Sequence, residues 1–287
     1  MGSGTRDLNP AQKAALGRGE IVARAPGIHA EVTALDKAAS IGAIPSELAV
    51  TRNICPECAA VIESLGGRLT SRTTAVSSQV RSMGILGFNE ESLKTELNRI
   101  AVPLRVVFAA AVAERLLPAY VTFSHKTGRG NPHLLTEILE RLWRDIDGIK
   151  MGPEELQQNI DLSMELVPKE DEKPWIPDQA WAEDAVVAVV YALCTRQNGK
   201  SQNSAWAARR AYDALDHFVT TQEDIDPSTA GAEERILSNP LIQAEFMRQQ
   251  RDLRELVAVD PRDESTLAQK IRQRAKAESI GVFNKGS

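Results

Sequence analysis

Apolar positions change their rhythm once along the chain, near residue 77, and the two sides of that point predict different elements. Before it, apolar residues come in short runs punctuated by glycine and proline. Asn9-Pro10 and the Ala/Lys/Leu run that ends at Gly17 predict a short capped helix. Residues 20–25 (EIVARA) predict a strand stopped by Pro26-Gly27. From His29 onward, Val32, Leu35, Ala38 and Ala39 share one helical face, and Gly42 ends it. Residues 47–52 (ELAVTR) predict a strand, and Pro56 opens a helix that runs through Ile62 and closes at Gly66-Gly67. Residues 68–76 (RLTSRTTAV) alternate with enough β-branching for a third strand. Strand, helix, strand, helix, strand is the order of an α/β module, which these patterns assign to residues 1–76.

Residues 77–87 form a junction, and Met83 within it resembles an initiator methionine. It marks a join between two once-separate polypeptides. From Asn89 the period becomes helical throughout. Predicted helices cover Asn89–Ile100, Pro103–Ser124 with a kink at Pro118, Asn131 to about Ile149, and a segment opening at Gly152-Pro153. A charged, proline-marked loop around Pro168, Pro174 and Pro177 follows. Helices then cover Asp178–Thr195, Ser201–Thr221, about Ala232–Val259 and Asp263–Ile280. No useful strand alternation appears, so residues 88–287 read as an all-α domain.

Composition adds size and sign. The 287 residues are 43% hydrophobic, ample for a core, and no run of 18 apolar residues suggests a membrane span. The net charge of −5 hides an asymmetry: residues 1–82 carry nine Lys/Arg against seven Asp/Glu, leaving 25 against 32 in the remainder. A basic module joined to an acidic one suits a nucleic-acid binder joined to something that masks it, although two ordinary solvated surfaces would read the same way. Three cysteines, two of them as Cys55-Pro56-Glu57-Cys58, argue against a disulfide framework. They favour a reducing compartment, the cytoplasm, where a thiol pair binds metal.

The candidate chemistry lies between His29 and Cys58. One imidazole, His29, and two sulfurs, Cys55 and Cys58, are three ligands for Zn2+ and leave its fourth tetrahedral position open. Placement of these ligands near helix N-termini would favour thiolate over thiol. Glu31, two residues after the histidine, would exchange protons with a metal-bound water. The spacing H-x-E followed by C-x-x-C marks zinc-dependent nucleobase deaminases, with Ile54 standing where that pattern has proline.

HAEVTAL and NICPEC, in this order of elements, resemble the deaminase toxin domains of bacterial polymorphic and interbacterial effectors, over residues 18–76. The resemblance implies a shortened cytidine-deaminase-like α/β (α+β) fold, with Glu31 catalytic and His29, Cys55 and Cys58 on zinc. It also implies hydrolytic deamination of cytosine in nucleic acid, DNA above RNA. Residues 89–283 resemble the YjaG-like helical family through Phe108–Pro118 with Tyr120 and Phe123-Ser124, Thr127-Gly128, Asn131-Pro132, residues 239–243 and Arg251-Asp252-Leu253. That resemblance implies an immunity protein that occludes the toxin's zinc site in the producing cell, the toxin being delivered to a recipient cytoplasm.

Other readings stand beside these. Cys55 and Cys58 also fit half of a structural zinc site or a redox pair. The whole also fits a non-catalytic, zinc-stabilised binding module on a helical scaffold, or a free-nucleoside deaminase. Residues 1–82 contain no Phe, Tyr or Trp on which to stack a base. Arg24, Arg52, Arg68 and Arg72 could contact phosphate or be ordinary surface arginines. In the helical domain His125, His133 and His217 show no ligand spacing, and Trp143, Trp175, Trp181 and Trp206 read as core anchors, although Trp175 in its proline-flanked loop could contact a partner. The acidic stretches 170–172 and 223–226 could mimic a phosphate backbone and cap the basic module.

Overall fold

Asn-Pro pairs start helices because the asparagine side chain accepts an otherwise unpaired N–H while proline, lacking its own N–H, loses nothing in the first turn. Among the described residues, the computed structural model of the chain uses this device at two places: Asn131 accepts from Leu134 N–H at 3.0 Å and Asn239 from Leu241 N–H at 2.9 Å. Residues 2–3, 23–24, 47–49, 53–56, 58–59, 62, 67–77, 85–169, 176–280 and 283 are described. The chain divides into two units, Met1–Leu86 and Gly87–Ser287.

The second unit is helical among its described residues. Its helices are α1 (Glu90–Asn98), α2 (Val102–Thr127), α3 (Pro132–Ile146), α4 (Pro153–Glu165), α5 (Asp178–Asn198), α6 (Ser201–Gln222), α7 (Ala232–Leu237), α8 (Pro240–Ala258) and α9 (Glu264–Ala277). A short 3-10 turn, Pro261–Asp263, precedes α9. The predicted helix over 232–259 is two, because Asn239-Pro240 ends one and caps the next. Gly128 and Gly199 close α2 and α5 in the left-handed conformation that glycine adopts without a Cβ clash.

Helix α2 is the axis, packed against α5, α6, α9 and α3. Its alanines, Ala109 to Ala111 and Ala113, are fully buried, so neighbouring backbones approach closely. It is long and apolar enough to cross a membrane by length and composition, yet 83% of its apolar window is buried within the protein. Pro118 lies within it.

Arg115 sits in the middle of that apolar helix and is itself fully buried. Its Nε donates to Glu245 Oε2 at 3.0 Å, Nη2 to Glu245 Oε1 at 2.9 Å and Nη1 to Asp252 Oδ2 at 2.9 Å. Arg274 Nη2 on α9 takes the other Asp252 oxygen at 2.6 Å. Burial alone would raise the Asp252 carboxyl, but Arg115, Arg251 and Arg274 hold it below the ordinary carboxylate range. Two guanidiniums meeting at Asp252, Arg115 on α2 and Arg274 on α9, therefore fix α2, α8 and α9 in register.

In the first unit, Gly2–Ser3 (β1) pairs in parallel with Ala23–Arg24 (β2). Glu47–Ala49 (β3), Gly67–Leu69 (β4) and Thr74–Ser77 (β5) form an antiparallel sheet in the order β3-β5-β4. This corrects the expected fold class. The stretch predicted as one strand over 68–76 is a hairpin: Thr70, Ser71 and Thr73 turn it back through hydroxyl bonds that compete with strand pairing, including Ser71 Oγ to Thr74 Oγ1 at 2.7 Å. Among the described residues, strands of two to four residues, with antiparallel neighbours in the three-stranded sheet, stand where an α/β cytidine-deaminase-like module was expected. The described chain is dominated by helix.

Replacing Arg115 by alanine would leave two buried carboxylates without their shared cation, so Arg115→Ala is expected to cost about 3–5 kcal/mol. A urea titration followed by circular dichroism reads this as a lower midpoint, and an unchanged midpoint would refute the clamp. Because the Asp252 carboxyl is depressed, its contribution is present at neutral pH and is lost as pH falls through its folded value.

Candidate functional site

Two places gather chemistry-bearing residues, one in each unit. In the first, Pro56 begins a helix, so Cys55 holds the capping position and Cys58 lies one turn in. The Cys58 N–H points at Cys55 Sγ, 3.3 Å away. Cys58 is 1% exposed and shares a buried face with Ile62, while Cys55 is half-buried. Immediately before the pair, Ile54 N–H donates to the Arg72 carbonyl at 2.8 Å, which fastens this corner to the tip of the β4–β5 hairpin. Arg68 and Arg72 are both exposed on that hairpin, with the hydroxyls of Thr70 and Ser71 beside them.

Two sulfurs one helical turn apart fit half of a tetrahedral zinc shell. His29 and Glu31, the other two residues of the expected site, lie outside the described residues. Among the described residues, no group of three or more His, Cys, Asp or Glu is assembled to hold a metal. Cys194 is half-buried on α5 in the other unit, its thiol pushed up by burial.

In the second unit, α5 and α6 enclose a carboxylate that the sequence reading passed over. Asp184 is 3% exposed. Arg210 Nη1 donates to its Oδ1 at 3.0 Å, whereas Oδ2 has no hydrogen-bond partner among the described residues and faces His217 Nδ1 at 3.8 Å. Burial pushes the Asp184 carboxyl up to about 7 against the pull of Arg210, with Asp213 and Glu183 adding to the rise. One turn earlier on α5 the buried Trp181 Nε1 also lacks a partner among the described residues. The local signal was an aspartate at helical spacing from a tryptophan within the buried run 181–193. Its partners sit on α6, some 26 to 33 residues on, so no local motif marks them.

The remaining candidates separate. His125 and His133 are exposed, His133 beside Glu137 at 3.5 Å. Trp143 and Trp181 are buried, whereas Trp206 is 39% exposed and donates to Glu90 at 3.2 Å. Trp175 and residues 170–172 lie outside the described residues. Glu223 pairs within its own unit with Arg235 and Asn239.

A family model described as a protein of unknown function, DUF416, matches residues 92–285. A crystal structure of a DUF416 family protein from Shewanella baltica OS155 at 1.91 Å resolution is similar at TM-score 0.56 and 20% identity. The similarity covers 68% of this chain and 98% of that one. No curated protein matches. These findings correct both resemblances drawn from the sequence. Over the helical residues the matching family is DUF416, whose description carries no immunity role, in place of the YjaG-like immunity proteins. The helix-dominated described chain is unlike the deaminase fold of bacterial toxin domains.

The Asp184 carboxyl carries a pH prediction. Its folded value, about 7, lies above its ordinary 3.8, so the folded protein holds this proton more tightly than the unfolded chain. The stabilisation is full below 3.8 and is lost as pH rises through about 7. The loss amounts to roughly 4 kcal/mol from this group alone. Denaturant midpoints from pH 4 to 8 are expected to fall for the native chain and to flatten in Asp184→Asn; parallel curves would show that this carboxyl does not titrate there.

Proposed function

The chain belongs to the DUF416 family, whose description assigns no activity, and from that premise we propose that it is a binding protein without turnover. Its first unit is a zinc-stabilised module that engages a nucleic-acid backbone, and its helical unit is the scaffold. The observation that carries this reading is the 2.8 Å bond from Ile54 N–H to the Arg72 carbonyl. Through it, the corner that offers two sulfurs to a metal also sets the position of the hairpin tip that carries two exposed arginines.

The physical logic is one of support. A small three-stranded sheet buries little apolar surface, and a metal compensates for a core of that size. The Cys58 N–H bond offsets negative charge that a metal-bound sulfur keeps. His29 is the third ligand that the sequence offers, and a fourth protein or water ligand closes the shell. Arg68 and Arg72 then act on phosphate as point charges with forked donors, reading no base. A module with nine basic residues against seven acidic ones over residues 1–82 favours a polyanion over a cation.

Elemental analysis of the purified chain is expected to find stoichiometric zinc that Cys58→Ser loses. Fluorescence anisotropy with a labelled single-stranded oligonucleotide should show binding that weakens about tenfold in the double variant Arg68→Ala/Arg72→Ala. The salt dependence should lose about 1.4 in log–log slope with these two charges gone. Binding that ignores both arginines would refute the polyanion reading, and ammonia released from a cytosine-containing oligonucleotide would refute the absence of turnover.

A further inference from the structure

Phe283, near the end of the chain, is 2% exposed and sits against two helices. Its ring lies 5.5 Å from that of Trp181 on α5 and 5.5 Å from that of Phe218 on α6, while Trp181 and Phe218 meet edge to face at 5.1 Å. Ile280 anchors the approach, its N–H donating to the Arg115 carbonyl at 2.9 Å. The phenyl ring suits the aromatic walls. It leaves the polar groups beside them unanswered.

Those groups are the indole Nε1–H of Trp181 and Oδ2 of Asp184, both buried and both without a hydrogen-bond partner among the described residues. Leaving a buried polar group unpaired is costly, and two on one helical turn of an otherwise well-packed interface point to an absent partner. The ring cluster, the donor and the acceptor share the α5–α6 seam, since Trp181 touches Phe218 and Asp184 faces the adjacent His217. We propose that this seam is a ligand site for a small aryl-alkyl amine bearing a neighbouring hydrogen-bond acceptor, and that Phe283 fills its aromatic end when the ligand is absent.

Each part of that chemistry answers one observed group. The ligand's ring replaces the Phe283 phenyl between Trp181 and Phe218, the contact geometry that aromatic rings prefer. Its ammonium donates to Asp184 Oδ2, the oxygen that Arg210 leaves open. Its acceptor takes the Trp181 N–H. The sign of the charge follows from the surroundings: Asp213 and Glu183 add negative charge around Asp184, against Arg210 and the His217 imidazole. A carboxylate in the ligand would meet that acidic excess, so the acceptor is neutral.

The probe is phenylalaninol, which joins a phenyl ring, an ammonium and a hydroxyl, with 3-phenylpropan-1-ol as the same skeleton without the amine. Both are titrated into the full chain carrying Phe283→Ala at pH 8, where Asp184 is ionised, and binding is read from Trp fluorescence and the thermal midpoint. Phenylalaninol is expected to bind about tenfold more tightly than 3-phenylpropan-1-ol, the size of one charge-assisted hydrogen bond. That preference should vanish in Phe283→Ala/Asp184→Asn, and the native chain should bind more weakly because its own phenyl competes. Equal binding of the two compounds would reduce the seam to an apolar cavity, and no binding of either would remove the site. Phe283→Leu keeps the seam filled with a smaller group and repeats both titrations where the alanine variant does not fold; equal or absent responses there count against the proposal in the same way.

Discussion

A single buried cation sets the geometry of the helical unit. Helix α2 is apolar along most of its length, and apolar helices packed on alanine could slide past their neighbours at little cost. Arg115 removes that freedom. Its forked guanidinium meets Glu245 and Asp252 on α8, and Arg274 on α9 completes the second carboxylate. Such a cluster gives little net stability over an apolar replacement, because desolvating the charges offsets most of their attraction. Its contribution is to registry: only one alignment of α2, α8 and α9 pairs these groups, and misaligned packings would bury naked charge.

The helical elements were legible from the sequence because their signals are local. Asn89, Asn131 and Asn239 each cap the helix that follows through their own side chains. Gly128 and Gly199 end theirs for an equally local reason. Where a local signal was overridden by a stronger one close by, the boundary moved, as at Asn239-Pro240. The hairpin of β4 and β5 was misread for the opposite cause. Its alternation of side chains is real, but Thr70 and Ser71 both bond the Thr74 hydroxyl and Ser71 also bonds the hydroxyl and backbone N–H of Thr73, and period alone does not register a reversal built from hydroxyls.

The candidate sites were legible in proportion to how local they are. Cys55 and Cys58 stand one helical turn apart, and Pro56 between them announces that turn. The bond that ties them to Arg72 spans a helix and a hairpin, so spacing could not reveal it. Arg115 looked like one more residue of an amphipathic pattern, although its partners lie 130 and 137 positions away. Asp184 was hidden in the same way, its partners on α6 being separated from it by a helix end and a glycine turn. Deaminase-like spacing between His29 and Cys58 is likewise a statement about four positions, and the pattern of four positions does not determine the sheet around them.

Two buried carboxylate environments in one unit make the α5–α6 seam informative. At Glu245 and Asp252 all four oxygens receive a donor. At Asp184 one oxygen does and the other does not, and the neighbouring indole N–H is left over as well. Arg251 and Arg274, which bond Asp252, also carry a buried Nε without a hydrogen-bond partner among the described residues, so what sets the seam apart is that it leaves an acceptor and a donor unmatched within one helical turn. The two environments are also joined in the chain: Ile280 bonds to the Arg115 carbonyl, and three residues later Phe283 enters the seam. The clamp that aligns the helices thus anchors the segment whose phenyl ring packs on Trp181 and Phe218, an apolar contact that leaves the Trp181 N–H and Asp184 Oδ2 of the same seam unmatched among the described residues.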